Sequence, residues 1–322
     1  MQILEDFLVK REKGYYCTYG DFYIDPLYPV KHAIVSHGHG DHASAGHEFI
    51  YCTKPTAAFI KHRFSKQPDS SFIITKFKTC FEVNGVEIYL FPAGHILGSA
   101  QILMIYKGVR YLYTGDYKLQ VDPTCEAIEI IQADVLITET TFANPEIRHP
   151  DPIAEIDKLR VEENIMLGCY SLGKAQRLTA MLNQQCPQKE ILVHHNILPF
   201  HKIYEQFIPG LLKYSIYNRK SMKTGEKNKI YLVPPFTFNH YRRATNVLRV
   251  FASGWKGLQV QNDISLYISD HVDWSDILRY IMIVKPKAIW TLHGDGRKLH
   301  HYFDGNIIIR DINTQTFLPD YC

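Results

Sequence analysis

The sequence lacks any run of about 18 uncharged apolar residues, the length a membrane-spanning helix requires, so no span is expected. It also lacks a C-x-x-C pair. Its seven cysteines (Cys17, Cys52, Cys80, Cys125, Cys169, Cys186 and Cys322) are scattered and odd in number. That argues against a zinc ribbon or a disulfide framework and fits the reduced thiols of a cytoplasm. No G-x-x-x-x-G-K-S/T occurs, which excludes a nucleotide-hydrolysing P-loop. The start, Met1-Gln2-Ile3-Leu4-Glu5-Asp6, carries acids early and leads into no long apolar run. No signal peptide is therefore expected, and the location read from the chain is cytoplasmic. There is no internal repeat and no low-complexity tract. An excess of one charge is missing too: 36 Lys/Arg against 33 Asp/Glu leave a formal +3.

What is present is ordinary globular material, 322 residues with 46% apolar and 21% charged, enough for one large or two moderate domains. The charge is unevenly distributed. Residues 201–250 hold Lys202, Lys213, Arg219, Lys220, Lys223, Lys227, Lys229, Arg242, Arg243 and Arg249 against only Glu205 and Glu226. A basic block on an otherwise acidic chain points to a polyanion partner.

The densest chemistry lies in Ser36-His37-Gly38-His39-Gly40-Asp41-His42. It follows Ala33-Ile34-Val35, an apolar run read as a buried strand ending in a loop. Imidazole nitrogen and carboxylate oxygen are the ligands Zn²⁺ takes in catalytic sites. Glycines between the histidines let a tight loop aim several side chains at one point. The same geometry recurs along the chain. Asp25 closes Gly20–Asp25. His95 follows the hairpin 81–90, whose Asn84-Gly85 predicts a type I′ turn. Asp116 follows a second hairpin, 101–106 with 109–113. Glu139 ends Val135–Thr138. His271 follows the strand expected at 264–268, and His293 follows Ala288–Leu292. Metal-type residues at successive strand ends are how a sheet edge builds one site on a rigid scaffold.

From about 148 to 260 the texture changes to alternating strand and helix, a small α/β unit of its own. Gly173-Lys174 at a helix start is a candidate phosphate contact.

These residues resemble the metallo-β-lactamase-fold hydrolases of the β-CASP nuclease branch. Asp25, His37 to His42, His95 and Asp116 match that fold's ligand motifs. Glu139, His271 and His293 match three further β-CASP motifs, and Tyr170–Gln176 resembles the start of the inserted cap. Within the branch the likeness is to bacterial ligase-associated DNA exonucleases. Its cues are Gly20–Pro26, Pro92–Ala100, Gly115–Cys125 and Leu266–Trp274, and it spans essentially the whole chain.

The resemblance implies an α+β fold: an αββα sandwich of residues 1–147 and 263–322, with an α/β cap, 148–262, inserted. It implies two divalent ions, Zn²⁺, with Mn²⁺ an alternative for activity. His37, His39 and His95 would hold the first and Asp41, His42 and His271 the second. Asp116 would bridge them, and Asp25 would orient a ligand histidine. Glu139 and His293 would sit near the leaving group, with His293 as general acid and Glu139 fixing its orientation. The implied activity is a DNA exonuclease working from free single-stranded ends, 3′ favoured, in end repair beside a DNA ligase and a helicase. Lys174, Arg219, Lys220 and Lys223 are candidate phosphate contacts. Cap aromatics Tyr204, Phe207, Tyr214, Tyr217, Phe236, Phe238 and Tyr241 are candidates for base stacking. An RNA-processing nuclease of the same branch is the alternative, and a small-molecule hydrolase of the same fold the second alternative.

Overall fold

The computed structural model describes residues 2–218, 227–241, 245–294 and 296–313. The chain divides into two compact units. One comprises Met1–Val121, Cys125–Arg148 and His271–Cys322; the other comprises Asp122–Thr124 and His149–Asp270.

In the first unit, β1 (Leu8–Arg11), β2 (Gly14–Cys17) and β3 (Phe22–Ile24) form an antiparallel meander. β4 (His32–Ile34), β5 (Phe49–Cys52) and β6 (Phe72–Ile74) then add in parallel. A second sheet opens with β7 (Phe81–Val83), β8 (Val86–Pro92), β9 (Ala100–Tyr106) and β10 (Val109–Tyr113), all antiparallel neighbours, followed by β11 (Val135–Glu139), which is parallel to β10. Asn84 and Gly85 both adopt positive φ, 48° and 83°, as the expected I′ turn demands.

The chain then builds the second unit's sheet from β12 (Ile165–Gly168), β13 (Glu190–Val193), β14 (Ser215–Ile216), β15 (Lys229–Val233) and β16 (Leu248–Phe251). All pairings are parallel, in the order β14-β13-β15-β12-β16. It returns to the first unit with β17 (Ala288–Leu292), parallel to β11, and β18 (Ile308–Asp311).

Period-two alternation explains how the first unit layers. Ile102, Met104, Tyr111, Tyr113, Val135, Ile137 and Trp290 point inward and share one core with Phe22, Ile24 and Ile34 of the first sheet and with Phe7 just before β1. Their strand neighbours Leu103, Leu112, Leu136 and Ile289 point outward, against the helix Trp274–Val284. On the other outer face, Ala33, Val35 and Ile50 meet Ala57 and Ile60 of the helix Lys54–Arg63. The result is α-β-β-α, held by apolar burial worth roughly 1.5–3 kcal/mol per large side chain. The helix Lys54–Arg63 starts where Thr53 accepts the Thr56 N–H and Pro55 presets the first turn, which fixes where Arg63 ends up.

Of the strand expected at 264–268 only a single bridge forms, Leu266 beside Ala252, with the Ser253 N–H on the Leu266 carbonyl. Side chains take the other backbone groups: Gln259 also bonds both the N–H and the carbonyl of Leu266, Glu155 accepts from Tyr267 N, and Lys158 reaches Ser265 O. Leu266 and Ile268 are buried in the second unit's core, so the break between units falls at Asp270, later than the expected 262.

Candidate metal centre

Each site residue of the first unit sits where the sheet edge delivers it. Three ring nitrogens converge: His39 Nδ1 lies 3.1 Å from both His37 Nε2 and His95 Nε2. With a carboxylate oxygen of Asp116, their ligand atoms all lie within 4.8 Å of one another. His42 Nε2 is 3.4 Å from Asp116 Oδ2 and forms a second group with Asp116 and His293. Asp116, Glu139 and His271 form a third. Asp116 is common to all three.

Donor chemistry separates the groups. In the first two, imidazole nitrogens face a carboxylate oxygen, the donor types a borderline-soft divalent cation takes, and His42 would give up its ring proton to such an ion. In the third, the Glu139 carboxylate is already spent on donors. Tyr117 N–H reaches Oε1 at 3.1 Å, Thr141 Oγ1 reaches Oε2 at 2.7 Å, and His271 Nδ1 lies 2.9 Å from Oε2. Glu139 is fully buried. This is a carboxylate that orients an imidazole.

Asp25 stands behind the second group. It accepts from Ser36 N at 2.7 Å, Ser36 Oγ at 2.6 Å and Tyr113 OH at 2.9 Å, and pairs with His42 Nδ1 at 2.8 Å. That bond leaves His42 Nε2 aimed at Asp116. Burial alone would lower the His42 pKa, but Asp116 and Asp25 outweigh it and hold it well above the usual imidazole value. Burial likewise works against ionised Asp116, yet His42 and His271 hold its carboxyl well below the usual range. His37, pushed well below by burial and by His42, is kept neutral, the form in which imidazole ligates a metal.

The loop itself is clamped from the helix Lys54–Arg63. Arg63 Nη1 donates to the carbonyl oxygen of Gly38. A Cβ on Gly38 would lie 2.9 Å from the Phe59 side chain, so only glycine lets the loop approach this closely.

The structure differs from the sequence expectation at three points. Glu139 pairs with His271, whereas His293 stands beside His42, ring centroids 5.4 Å apart. His293 carries a left-handed backbone, φ 51°, held where Thr140 donates both its N–H and its hydroxyl to the Leu292 carbonyl. Asp41 stands apart from the three groups, its side chain 77% exposed and Oδ2 3.9 Å from His42 Nε2. Lys174 is buried in the second unit. Its ammonium donates to the Ile268 carbonyl at 2.6 Å and pairs with Asp270 at 3.0 Å, so it is no surface phosphate contact. Arg219, Lys220 and Lys223 lie outside the described residues. Sequence reading missed Ser36, Tyr113, Arg63 and Thr141. Only Ser36, beside His37, and Thr141, two residues past Glu139, carried a signal, each being a hydroxyl close in sequence to a site residue.

No family model matches the chain. It is 29% identical over 303 residues to a protein described as a probable DNA ligase from Opitutus terrae, covering 89% of this chain and 29% of that one. It is 30% identical over 115 residues to Endoribonuclease YSH1 of Saccharomyces cerevisiae, covering 33% of this chain and 15% of that one. It is 28% identical over 189 residues to cleavage and polyadenylation specificity factor subunit 3 of Dictyostelium discoideum, covering 47% and 24%. The chain thus spans under a third of the length of these curated relatives. A solved structure of a protein of unknown function from Enterococcus faecalis shares the fold, at TM-score 0.59 and 13% identity, over 89% of this chain and 79% of that one.

Proposed function

We propose that the chain is a metallo-β-lactamase-fold β-CASP nuclease, and within that branch a metal-dependent DNA exonuclease acting from free single-stranded ends in end repair. The observation that carries the hydrolytic reading is Asp116. One carboxylate is shared by a three-histidine group, by His42 with His293, and by His271 with Glu139. A relative matched over most of this chain is described as a probable DNA ligase, which favours DNA and a ligase partner; a helicase supplying the single strand belongs to the same proposal.

Divalent ions bound at the first two groups would supply Lewis-acid polarisation of the phosphodiester and acidify water at neutral pH; Zn²⁺ suits the donors, with Mn²⁺ an alternative for turnover. The chain's own residues do the rest. His37, His39 and His95 would hold one ion, and His42 and His293 the other. Asp41, with Oδ2 3.9 Å from His42 Nε2, is the proposed further donor there, and Asp116 is common to both. Asp25 sets the His42 tautomer. His271, held through Nδ1 by Glu139, presents Nε2 to give a proton to the leaving oxygen. Arg219, Lys220 and Lys223 remain the proposed phosphate contacts, and digestion from 3′ ends the proposed direction.

A second reading, RNA processing in the same branch, is favoured by the likeness to Endoribonuclease YSH1. The test is digestion of end-labelled DNA and RNA of identical sequence, beside closed circular DNA. Faster loss of labelled DNA with intact circles is expected. Faster RNA loss overturns DNA as substrate, and equal cutting of circles overturns the need for an end.

A further inference from the structure

The five parallel strands of the second unit share one feature: the chain leaving each carboxyl end presents a ring. Tyr170 follows β12, His195 follows β13, Tyr217 follows β14, Phe236 follows β15 and Trp255 follows β16. The ladder extends one residue past the strands, through Cys169 N to Val233 O, His194 N to Leu232 O, Tyr217 N to Val193 O and Ala252 N to Gly168 O. The exits are thereby held in line. Neighbouring strands lie about 4.8 Å apart, so the rings are delivered along an edge of roughly 19 Å.

These rings are not core. Phe236 is 74% exposed, Tyr170 54% and Trp255 48%. By contrast Tyr204 and Phe238, both expected to stack bases, are buried in this unit. Several of the edge rings are stiffened by an inner ring. Tyr217 stacks on Tyr231 at 3.9 Å, His195 lies 3.9 Å from His194, and Tyr170 meets Phe251 edge-on at 6.4 Å. The carboxyl edge of a parallel sheet is where such sheets bind ligands, and here it carries a row of rings, three of them braced.

We propose that this edge is a stacking platform for the bases of single-stranded DNA. The proposal rests on the reading that the chain acts on DNA. Charge complementarity favours that occupant: this unit holds 16 Lys/Arg against 11 Asp/Glu, while the rest of the chain has an acidic balance. Every base has a π-face, so such a row binds strands without reading sequence.

The test is binding of fluorescein-labelled, phosphorothioate-linked (dT)12, its abasic counterpart with the same phosphates, and (rU)12 to the full chain. The platform requires tighter binding of (dT)12 than of the abasic strand. Tyr170→Ala, Phe236→Ala and Trp255→Ala should each weaken (dT)12 binding roughly 5- to 150-fold while leaving the salt slope and abasic binding at wild-type values. Phe236→Tyr should retain affinity. Phe236→Leu, which keeps apolar volume without a ring, should lose it at an unchanged melting midpoint. Equal wild-type affinity for (dT)12 and abasic strand overturns the platform and leaves the hydrolytic reading standing. No measurable binding of either strand overturns the DNA reading beneath it. Tighter binding of (rU)12 overturns DNA as the occupant.

Discussion

Replacing His293 with alanine removes the ring nitrogen that joins His42 and Asp116 in their group, leaving two donors 3.4 Å apart. Two donors hold a divalent ion poorly. The loss of affinity at that site should exceed the about 10–100-fold that follows when a residue merely orienting a ligand is removed. His271→Ala should behave differently. Its Nδ1 is committed to Glu139, whose oxygens are further occupied by Tyr117 N–H and Thr141, so the pair acts on a proton. Losing a general acid typically costs about 10²–10⁴ in rate, or about 2.7–5.4 kcal/mol of barrier. His271→Ala should therefore keep metal content near wild type and lose turnover by that factor. His293→Gly adds a further signature. The native backbone there is left-handed at φ 51°, a conformation costing about 1–3 kcal/mol for most non-glycine residues. Glycine should leave the metal-free melting midpoint unchanged or higher while metal binding falls. The assay is metal content by elemental analysis beside single-turnover rate for each variant. If His271→Ala sheds metal and His293→Ala does not, the two roles are reversed and the reasoning from the Glu139 pair fails.

Asp25→Ala should cost about 3 kcal/mol in urea unfolding, because it leaves a buried imidazole, two hydroxyls and an N–H without their shared acceptor, and should weaken metal binding about 10–100-fold; an unchanged metal titration would refute its orienting role. Gly38→Ala puts a methyl against Phe59 and should lower metal affinity, with Phe59→Ala in the same chain restoring part of it; no loss in the single variant would show that the loop can shift freely. His201 is fully buried, bonded to Gln176 Nε2 at 3.0 Å and Thr179 Oγ1 at 2.9 Å, and burial pushes its pKa down to about 4. The unfolded chain therefore binds the proton first, and the stability from neutral His201 is complete above about pH 6.5 and falls as pH drops toward 4, by about 3 kcal/mol. His201→Gln should lose that much less between pH 7 and 4; an identical loss in both proteins would assign the acid sensitivity to other groups.

Much of the site was legible because its signals are local. An apolar strand followed by His-x-His-x-Asp-His, or by Gly-Asp, places a polar side chain at a sheet edge whatever the rest of the fold does, and so do Glu139 and His293 at the ends of β11 and β17. The I′ turn at Asn84-Gly85 was legible for the same reason, since two adjacent residues must tolerate positive φ. The partners were not legible. Glu139 and His271 are far apart in the chain, and only the packed unit brings their side chains to 2.9 Å. Lys174 looked like a phosphate contact because a lysine at a helix start faces water unless something buries it; the buried carboxylate of Asp270 does. The 264–268 run had a strand's pattern, yet Gln259, Glu155 and Lys158 claimed its backbone first. Local sequence decides which residues reach the ends of strands, because side-chain direction follows backbone period. Tertiary structure decides which of them meet, because a buried polar group takes whichever partner the packed fold brings within about 3 Å.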